Sequence, residues 1–332
     1  MRDIATLEGV SITTVSRVAN GRPDVSEETR EAVLRVMRKH GFSSNRSARA
    51  LAGGRTGLIG FTVPLLTESY FNAIVSGAAE ALYAQDRRLV LCPTHHEHAR
   101  EVSLLERLIG GTTDGAILLL PEESSAELAR LQSLRFPFVV ADPRAPLPDG
   151  VPCISADHSA GARAAVDHLL ELGHRRIGCI AGTRGFVATE ERLLGYTLAL
   201  AARSINFDPE LVGGTDFKTS TGYAVARDML ALPAPPTAIF ACNDNLAVGA
   251  MRAAFERGLQ IPRDLSVVGF DDAGLARNVF PRLTTVRQPL EELGRTAVSL
   301  LSRLIDRQRT EALRVHLATR LVVRETTGPA AA

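Results

Sequence analysis

Thr13 and Arg17 stand four residues apart, shortly after a glycine at Gly9 and a hydroxyl at Ser11. On a helix that spacing puts both side chains on one face. The pair suits the edges of base pairs: an arginine fork matches guanine O6 and N7, a threonine hydroxyl bonds a base edge or phosphate, and Ile12 beside them can touch thymine methyls. A second set of polar residues follows apolar runs further along the chain. Asp142 follows Phe138 to Ala141, Asn243-Asp244 follows Ala238 to Cys242, Asp271-Asp272 follows Ser266 to Phe270, and Gln288 comes just after Thr284-Thr285-Val286. In an open parallel sheet, ligands bind outside the carboxyl ends of the strands, which is where these residues fall. The same residue types also cap helices and shape turns, and for Asp244 and Asp272 that is the preferred reading.

The first set needs a helix-turn-helix. Arg2 to Glu8 forms its first helix, with Ile4, Ala5 and Leu7 facing inward. Ser11 is placed to cap the second helix, which starts at Ile12 and Thr13 and carries Arg17 one turn on. A third helix follows the cap Ser26, with Glu27 and Glu28 in its first turn and Arg38 and Lys39 in its last, as the helix dipole favours. Val33, Val36 and Met37 give its apolar seam and Gly41 closes it. Asn45 then opens a helix of about two turns, in which Ser47, Ala48, Leu51 and Ala52 form a small-residue face, Arg46 and Arg49 project charge, and Gly53-Gly54 ends the run. Too short to be stable alone, such a helix needs a partner copy and a surface to order it, and a leucine wedged between base pairs in the minor groove is one known use.

The second set needs parallel strands. Leu58 to Val63, Leu89 to Cys92, Ala116 to Leu120, Phe138 to Ala141, Ile177 to Ala181, Ala238 to Cys242 and Ser266 to Phe270 read as buried strands alternating with amphipathic helical stretches. The units divide near Asp157. A helix at Leu290 to Arg307 and a last strand at Arg320 to Val323 complete the pattern, giving two doubly wound subdomains.

Composition agrees. Residues 1–55 hold 10 basic and 6 acidic side chains, a net of +4, while the remainder, with 28 basic against 31 acidic, is −3. A basic head on a slightly acidic body suits a module that meets phosphate. Cys92, Cys153, Cys179 and Cys242 lie far apart with no C-x-x-C, which reads as reduced thiols and a cytoplasmic setting. No signal peptide opens the sequence and no apolar run nears the length of a membrane span. His95-His96-Glu97-His98 lacks a second ligand group at a metal-site spacing and reads as a solvated loop. No phosphate loop or nucleophile elbow occurs, so an enzyme has little to stand on and no cofactor is expected.

These residues resemble the lactose-repressor and galactose-repressor (LacI/GalR) family of bacterial transcription regulators over essentially the whole chain. The resemblance rests on Gly9-Val10-Ser11 through Val18, Val25 to Arg30, Asn45 through Leu51, Gly173-His174-Arg175-Arg176-Ile177-Gly178, Arg192-Leu193-Leu194-Gly195-Tyr196, Asn243-Asp244, Val267 to Asp272 and Leu283 to Gln288. It implies an all-α helix-turn-helix head plus an α/β core of two doubly wound parallel-sheet subdomains of periplasmic-binding-protein type. The head spans residues 1–44, a hinge helix and linker 45–56, and the core 57–325. Within the core, the N-subdomain takes about 57–157 plus 287–325 and the C-subdomain about 158–286. The resemblance implies DNA contacts from Ser11, Ile12, Thr13, Ser16, Arg17, Asn20, Asn45, Ala48, Arg49 and Leu51. It implies effector contacts from Asp142, Arg192, Asn243, Asp271 and Gln288, with Tyr70, Phe71 and Phe217 as aromatic walls. A carboxylate and a guanidinium together grip vicinal hydroxyls, and a flat ring covers an apolar sugar face or a base.

The chain departs from the family in beginning at the first helix without a lead-in, in Glu8 where alanine is common, and in Ala188 where relatives often offer a hydroxyl. The segment from Glu325 to Ala332 is too short for an added tetramerisation helix. The expectation is a homodimeric repressor on a pseudo-palindromic double-stranded DNA operator, controlled by a small effector, a sugar first and a purine or nucleoside second. A pure ligand-binding protein and an enzyme with a regulatory head are the competing classes.

Overall fold

A computed structural model of the protein describes residues 2–19, 24–40, 55–122, 125–309 and 312–330. The chain divides into two units, residues 1–57 and 58–332.

Among the described residues the first unit has three helices: α1 (Arg2–Leu7), α2 (Ile12–Ala19) and α3 (Glu27–Lys39). Their seam is Ile4, Ala5, Val15, Val18, Val33 and Met37, with Val10, Val25 and Val36 packed against it. The caps fall where expected. Ser11 Oγ accepts the Thr14 N–H at 3.0 Å, and Ser26 Oγ accepts the Thr29 N–H at 3.4 Å, each worth about 1 kcal/mol to its helix. Leu7 corrects the sequence reading, for it is 59% exposed rather than inward. The chain turns at Gly9, whose φ of 62° favours glycine, and Val10 packs into the seam instead.

The second unit holds two six-stranded sheets. The first lobe contains β1 (Leu58–Val63), β2 (Arg88–Pro93), β3 (Gly115–Leu119), β4 (Phe138–Ala141) and β5 (Cys153–Ala156), and the second β6 (Ile177–Ile180), β7 (Val212–Gly213), β8 (Ala238–Ala241), β9 (Ser266–Asp271) and β10 (Thr284–Arg287). Strand β11 (Arg314–Leu317) returns to the first sheet beside β5, and β12 (Arg320–Val322) joins the second beside β10. The orders are β11-β5-β4-β3-β1-β2 and β12-β10-β9-β8-β6-β7, parallel throughout except at β10 with β12.

Strands buried on both faces explain the continuous apolar runs. In β3, Ile117 and Leu119 meet Ile74, Leu82, Val298 and Leu301, while Ala116 and Leu118 turn to Leu105, Leu108 and Leu128 on the other face. The chain crosses between lobes three times: after β5, after β10 and between β11 and β12. The last crossing corrects the expected division. Residues 320–330 belong to the second lobe and not the first, because β12 pairs with β10 and Arg324 runs on to donate to Asp272 at 2.5 Å. Strands β5, β7 and β11 were not expected; all are short.

Candidate functional site

The carboxyl ends of β4 and β9 place two buried aspartates at the junction of the lobes. Asp142 follows β4 with φ 49°, and Asp271 ends β9 with φ 118°. Positive φ is tolerated by aspartate but strained at values such as that of Asp271, a cost of order 1–3 kcal/mol that marks functional turns.

Between them lies Arg192, on a helix α8 (Val187–Ala202) that follows α7 (His158–Glu171); the helices from α4 to α6 are Ser69–Ala84, His98–Arg107 and Ser125–Ser133. Gly195 explains the spacing of the Arg-x-x-Gly-aromatic run. A Cβ there would sit 2.3 Å from the Ser159 carbonyl, so only glycine lets α8 approach α7 this closely. Tyr196 fixes the helix from the other side by donating to the Ile177 carbonyl at 2.8 Å. Arg192 is then 3% exposed, with its guanidinium carbon 3.9 Å from the Phe270 ring centroid. It donates to the Cys242 carbonyl and, at 3.2 Å, toward His158 Nδ1, and stands 3.8 Å from Asp271 Oδ1.

A continuous polar chain results. Tyr70, on α4, donates to Asp142 at 2.5 Å; His158 Nε2 lies 3.1 Å from the other oxygen of Asp142; Arg192 meets the far side of His158; and Gln288 donates to Asp271 at 2.6 Å. Arg192 Nε and Gln288 Oε1 are buried with no partner among the described residues. Such groups are expensive to leave unpaired, so their presence points to a polar ligand.

The aspartates titrate in opposite directions. Burial pushes Asp142 up, but the hydrogen bond from His158, the bond from Tyr70 and the Arg192 charge outweigh it, so Asp142 sits below the ordinary carboxylate range. Burial pushes Asp271 up to about 7 despite Arg192 and Gln288, with Asp142 and Glu68 adding to the rise. Tyr70 is raised by burial and by the Asp142 charge, and so stays a donor.

The aromatic assignments divide. Tyr70 reaches the site through its hydroxyl, whereas Phe71, 5% exposed, belongs to the first lobe's core behind it. Phe217 is half-buried over Gly182, where a Cβ would meet its ring at 2.2 Å, and its ring lies 6.2 Å from that of Phe186 at an interplanar angle of 45°. Arg144 closes one side: its guanidinium lies 4.5 Å over Phe186 and pairs with Glu122, and its carbonyl accepts the Val187 N–H at 2.9 Å.

Asn243 has a structural duty in addition to its place near Phe217. Its Oδ1 accepts the Leu246 N–H at 2.8 Å as the cap of the helix Asp244–Glu256, and its Nδ2 donates to the Phe217 carbonyl at 3.2 Å. The cap is therefore Asn243 rather than Asp244, which accepts from Thr285 Oγ1 at 2.5 Å and the Ala273 N–H at 2.8 Å. Asp272 ties two distant arginines, Arg287 and Arg324, at 2.5 Å each. His158, Phe270 and the Cys242 carbonyl were not foreseen; the cap at Asp157, which marks a helix start, was the available signal for His158.

In the head, Ile12, Thr13, Ser16 and Arg17 line one side of α2, opposite buried Val15 and Val18. The Ser11 hydroxyl is committed to its cap, and Arg17 pairs with Asp24 at 3.1 Å with both side chains half-exposed. A pair that exposed contributes at most about 1 kcal/mol, so Arg17 exchanges partners at little cost. Asn20, Asn45, Ala48, Arg49 and Leu51 lie outside the described residues. Near the histidine run, His96 lies 3.7 Å from Glu122 and His98 3.1 Å from Glu127.

Residues 1–45 match the family model of bacterial regulatory proteins of the lacI family, and residues 166–327 match the periplasmic binding protein-like domain. The chain is 36% identical to the HTH-type transcriptional regulator CelR of Thermobifida fusca, over 97% of this chain and 96% of that one. It is 33% identical to the ribose operon repressor of Halalkalibacterium halodurans, over 98% and 96%. Among solved structures, the transcriptional regulator CelR–cellobiose complex superposes with a TM-score of 0.75 at 35% identity, over 97% of this chain and 98% of that one. A lac repressor dimer bound to operator and an anti-inducer gives 0.85 at 30%, over 98% of both. The helix-turn-helix head, the two-lobed body and these full-length relatives agree: the chain belongs to the LacI family of bacterial transcriptional regulators.

Proposed function

We propose that this regulator takes an uncharged saccharide at the junction of its lobes, and that the ligand changes the affinity of its head for an operator. The observation that carries the reading is the charge balance around Arg192. Two buried carboxylates, Asp142 and Asp271, flank this one guanidinium, and Glu68 lies near enough to push Asp271 up. Sugar hydroxyls can donate to the carboxylates and accept from Arg192 Nε, while Phe217 and Phe186 offer flat apolar faces. A phosphate would bring further negative charge into a site already acidic, at a large desolvation cost. The relatives solved with cellobiose and with ribose support the same class.

In this reading the protein is a homodimeric repressor of the cytoplasm rather than an enzyme; among the described residues no helix is long and apolar enough to cross a membrane. Ile12, Thr13, Ser16 and Arg17 read base edges, Ser11 holds their helix, and Asn20, Asn45, Ala48, Arg49 and Leu51 complete the contact with DNA. The lobes hold two arrangements, and each ligand biases their balance. Linkage then requires reciprocity: the factor by which saccharide changes operator affinity equals the factor by which operator changes saccharide affinity.

A thermal-shift screen of neutral sugars, sugar phosphates and purines tests this. A ligand at a hundred times its Kd stabilises the folded body by about 2.7 kcal/mol. Selective stabilisation by neutral mono- or disaccharides is expected. A sugar phosphate or purine that binds more tightly than every neutral sugar would sink the reading.

A further inference from the structure

Among the described residues, His158 is the one side chain that hydrogen-bonds both the aspartate of the first lobe and the arginine of the second. It is the first residue of α7, immediately after Asp157, whose carboxylate caps the helix by accepting the Ala160 N–H at 2.9 Å. That junction is where the chain first crosses between lobes. The ring is 1% exposed, lies 6.0 Å from the Phe270 ring, and has a polar partner on each nitrogen.

Those partners determine its protons. An ionised Asp142 can only accept, so Nε2, at 3.1 Å, carries the hydrogen. A guanidinium can only donate, so Nδ1, at 3.2 Å from Arg192, presents its lone pair. The ring is thus a neutral imidazole of one tautomer, accepting on one side and donating on the other. We propose that His158 is a positioning residue, which orients Asp142 and Arg192 toward a shared ligand and links both to the interlobe crossover. Because its backbone sits at that crossover, its contact with Asp142 ties a first-lobe carboxylate to the start of the helix that leads into the second lobe. The inference adds a residue to the saccharide site proposed above and rests on that reading only for its ligand arm.

The ligand-free arm is decisive. Nitrogen-15 spectra of the full chain with labelled histidine are expected to show His158 protonated on Nε2 alone at neutral pH. Carbon-13 titration of Asp142 is expected to move its carboxyl upward in His158→Leu and back toward the wild-type position in His158→Gln, whose amide also offers one donor and one acceptor. A ring protonated on Nδ1, or an Asp142 titration that His158→Leu leaves in place, overturns the proposal. So does an equal shift in both variants, which would reveal a packing role. The ligand arm uses cellobiose and ribose in calorimetry: His158→Leu should weaken the sugar that binds by about tenfold to a hundredfold, the usual loss when a ligating group's orienting partner is removed. His158→Gln should restore most of it. If neither sugar binds the wild type, the saccharide reading fails for these probes, while the spectra still decide the role of His158.

Discussion

Asp142 and Asp271 end equivalent strands of two similar sheets, lie on either side of the same guanidinium and are both almost fully buried, yet one is an easily ionised carboxylate and the other titrates near 7. The difference lies in donors. Asp142 takes one from Tyr70 and one from His158, whereas Asp271 takes one from Gln288 and has Arg192 only at 3.8 Å. Asp142 and Glu68 add like charge against it. The first lobe therefore brings a finished half of the site and the second brings an unfinished half. The ligand has most to contribute where donors are fewest.

Removing the shared cation should have the largest effect. Arg192→Ala leaves two buried carboxylates without their counter-charge, and urea unfolding should show a loss of about 3–5 kcal/mol with saccharide binding abolished. Asp142→Asn should cost less, about 2 kcal/mol, because its amide cannot accept from both Tyr70 and His158; a variant as stable as wild type would break the comparison at its satisfied end. The next effect is one of pH. Asp271 is raised from 3.8 to about 7, so between those values the folded chain holds a proton that the unfolded chain has released, and its contribution to stability falls as pH rises. A sugar that donates to Asp271 favours the ionised form and expels that proton. Its affinity should therefore rise by up to about tenfold per pH unit between pH 6 and 7, then level off, with the slope absent in Asp271→Asn. The smallest effect is the stability of that same variant, within about 1 kcal/mol of wild type at pH 8, since the amide replaces a charge that burial opposes. If Asp271→Asn proved as damaging to stability as Asp142→Asn, the two halves would not differ as argued.

Much of this was legible because the chemistry is local. Ser11 and Ser26 announce helix starts by their own side chains, and β1 or β9 announces itself by a continuous apolar run. Asp142, Asp271 and Gln288 were found by their place at strand ends. What escaped depends on partners remote in sequence. Nothing near Asp272 shows that Arg324 will reach it, and nothing within Arg320 to Val322 says which sheet the strand will join. His158 escaped for a related reason: a histidine at the start of a helix is unremarkable until a residue 34 positions away meets its Nδ1. Leu7 was misjudged because a helix of six residues ends before its spacing decides which side chains are inward.

The three crossings have a consequence for how the chain is made. Strand β11 lies beside β5, and the helix Leu290–Ile305 packs on the helix Ser69–Ala84, so the first lobe is completed by residues near the end of the chain. Contacts of such long sequence separation form late and slowly. The head is different, for its seam is complete by Met37. During synthesis from the N-terminus, the head has every residue of its seam long before the body that governs it is complete. A translation product that stops before residue 290 would hold every residue of the head's seam and lack the helix and strand that complete the first lobe.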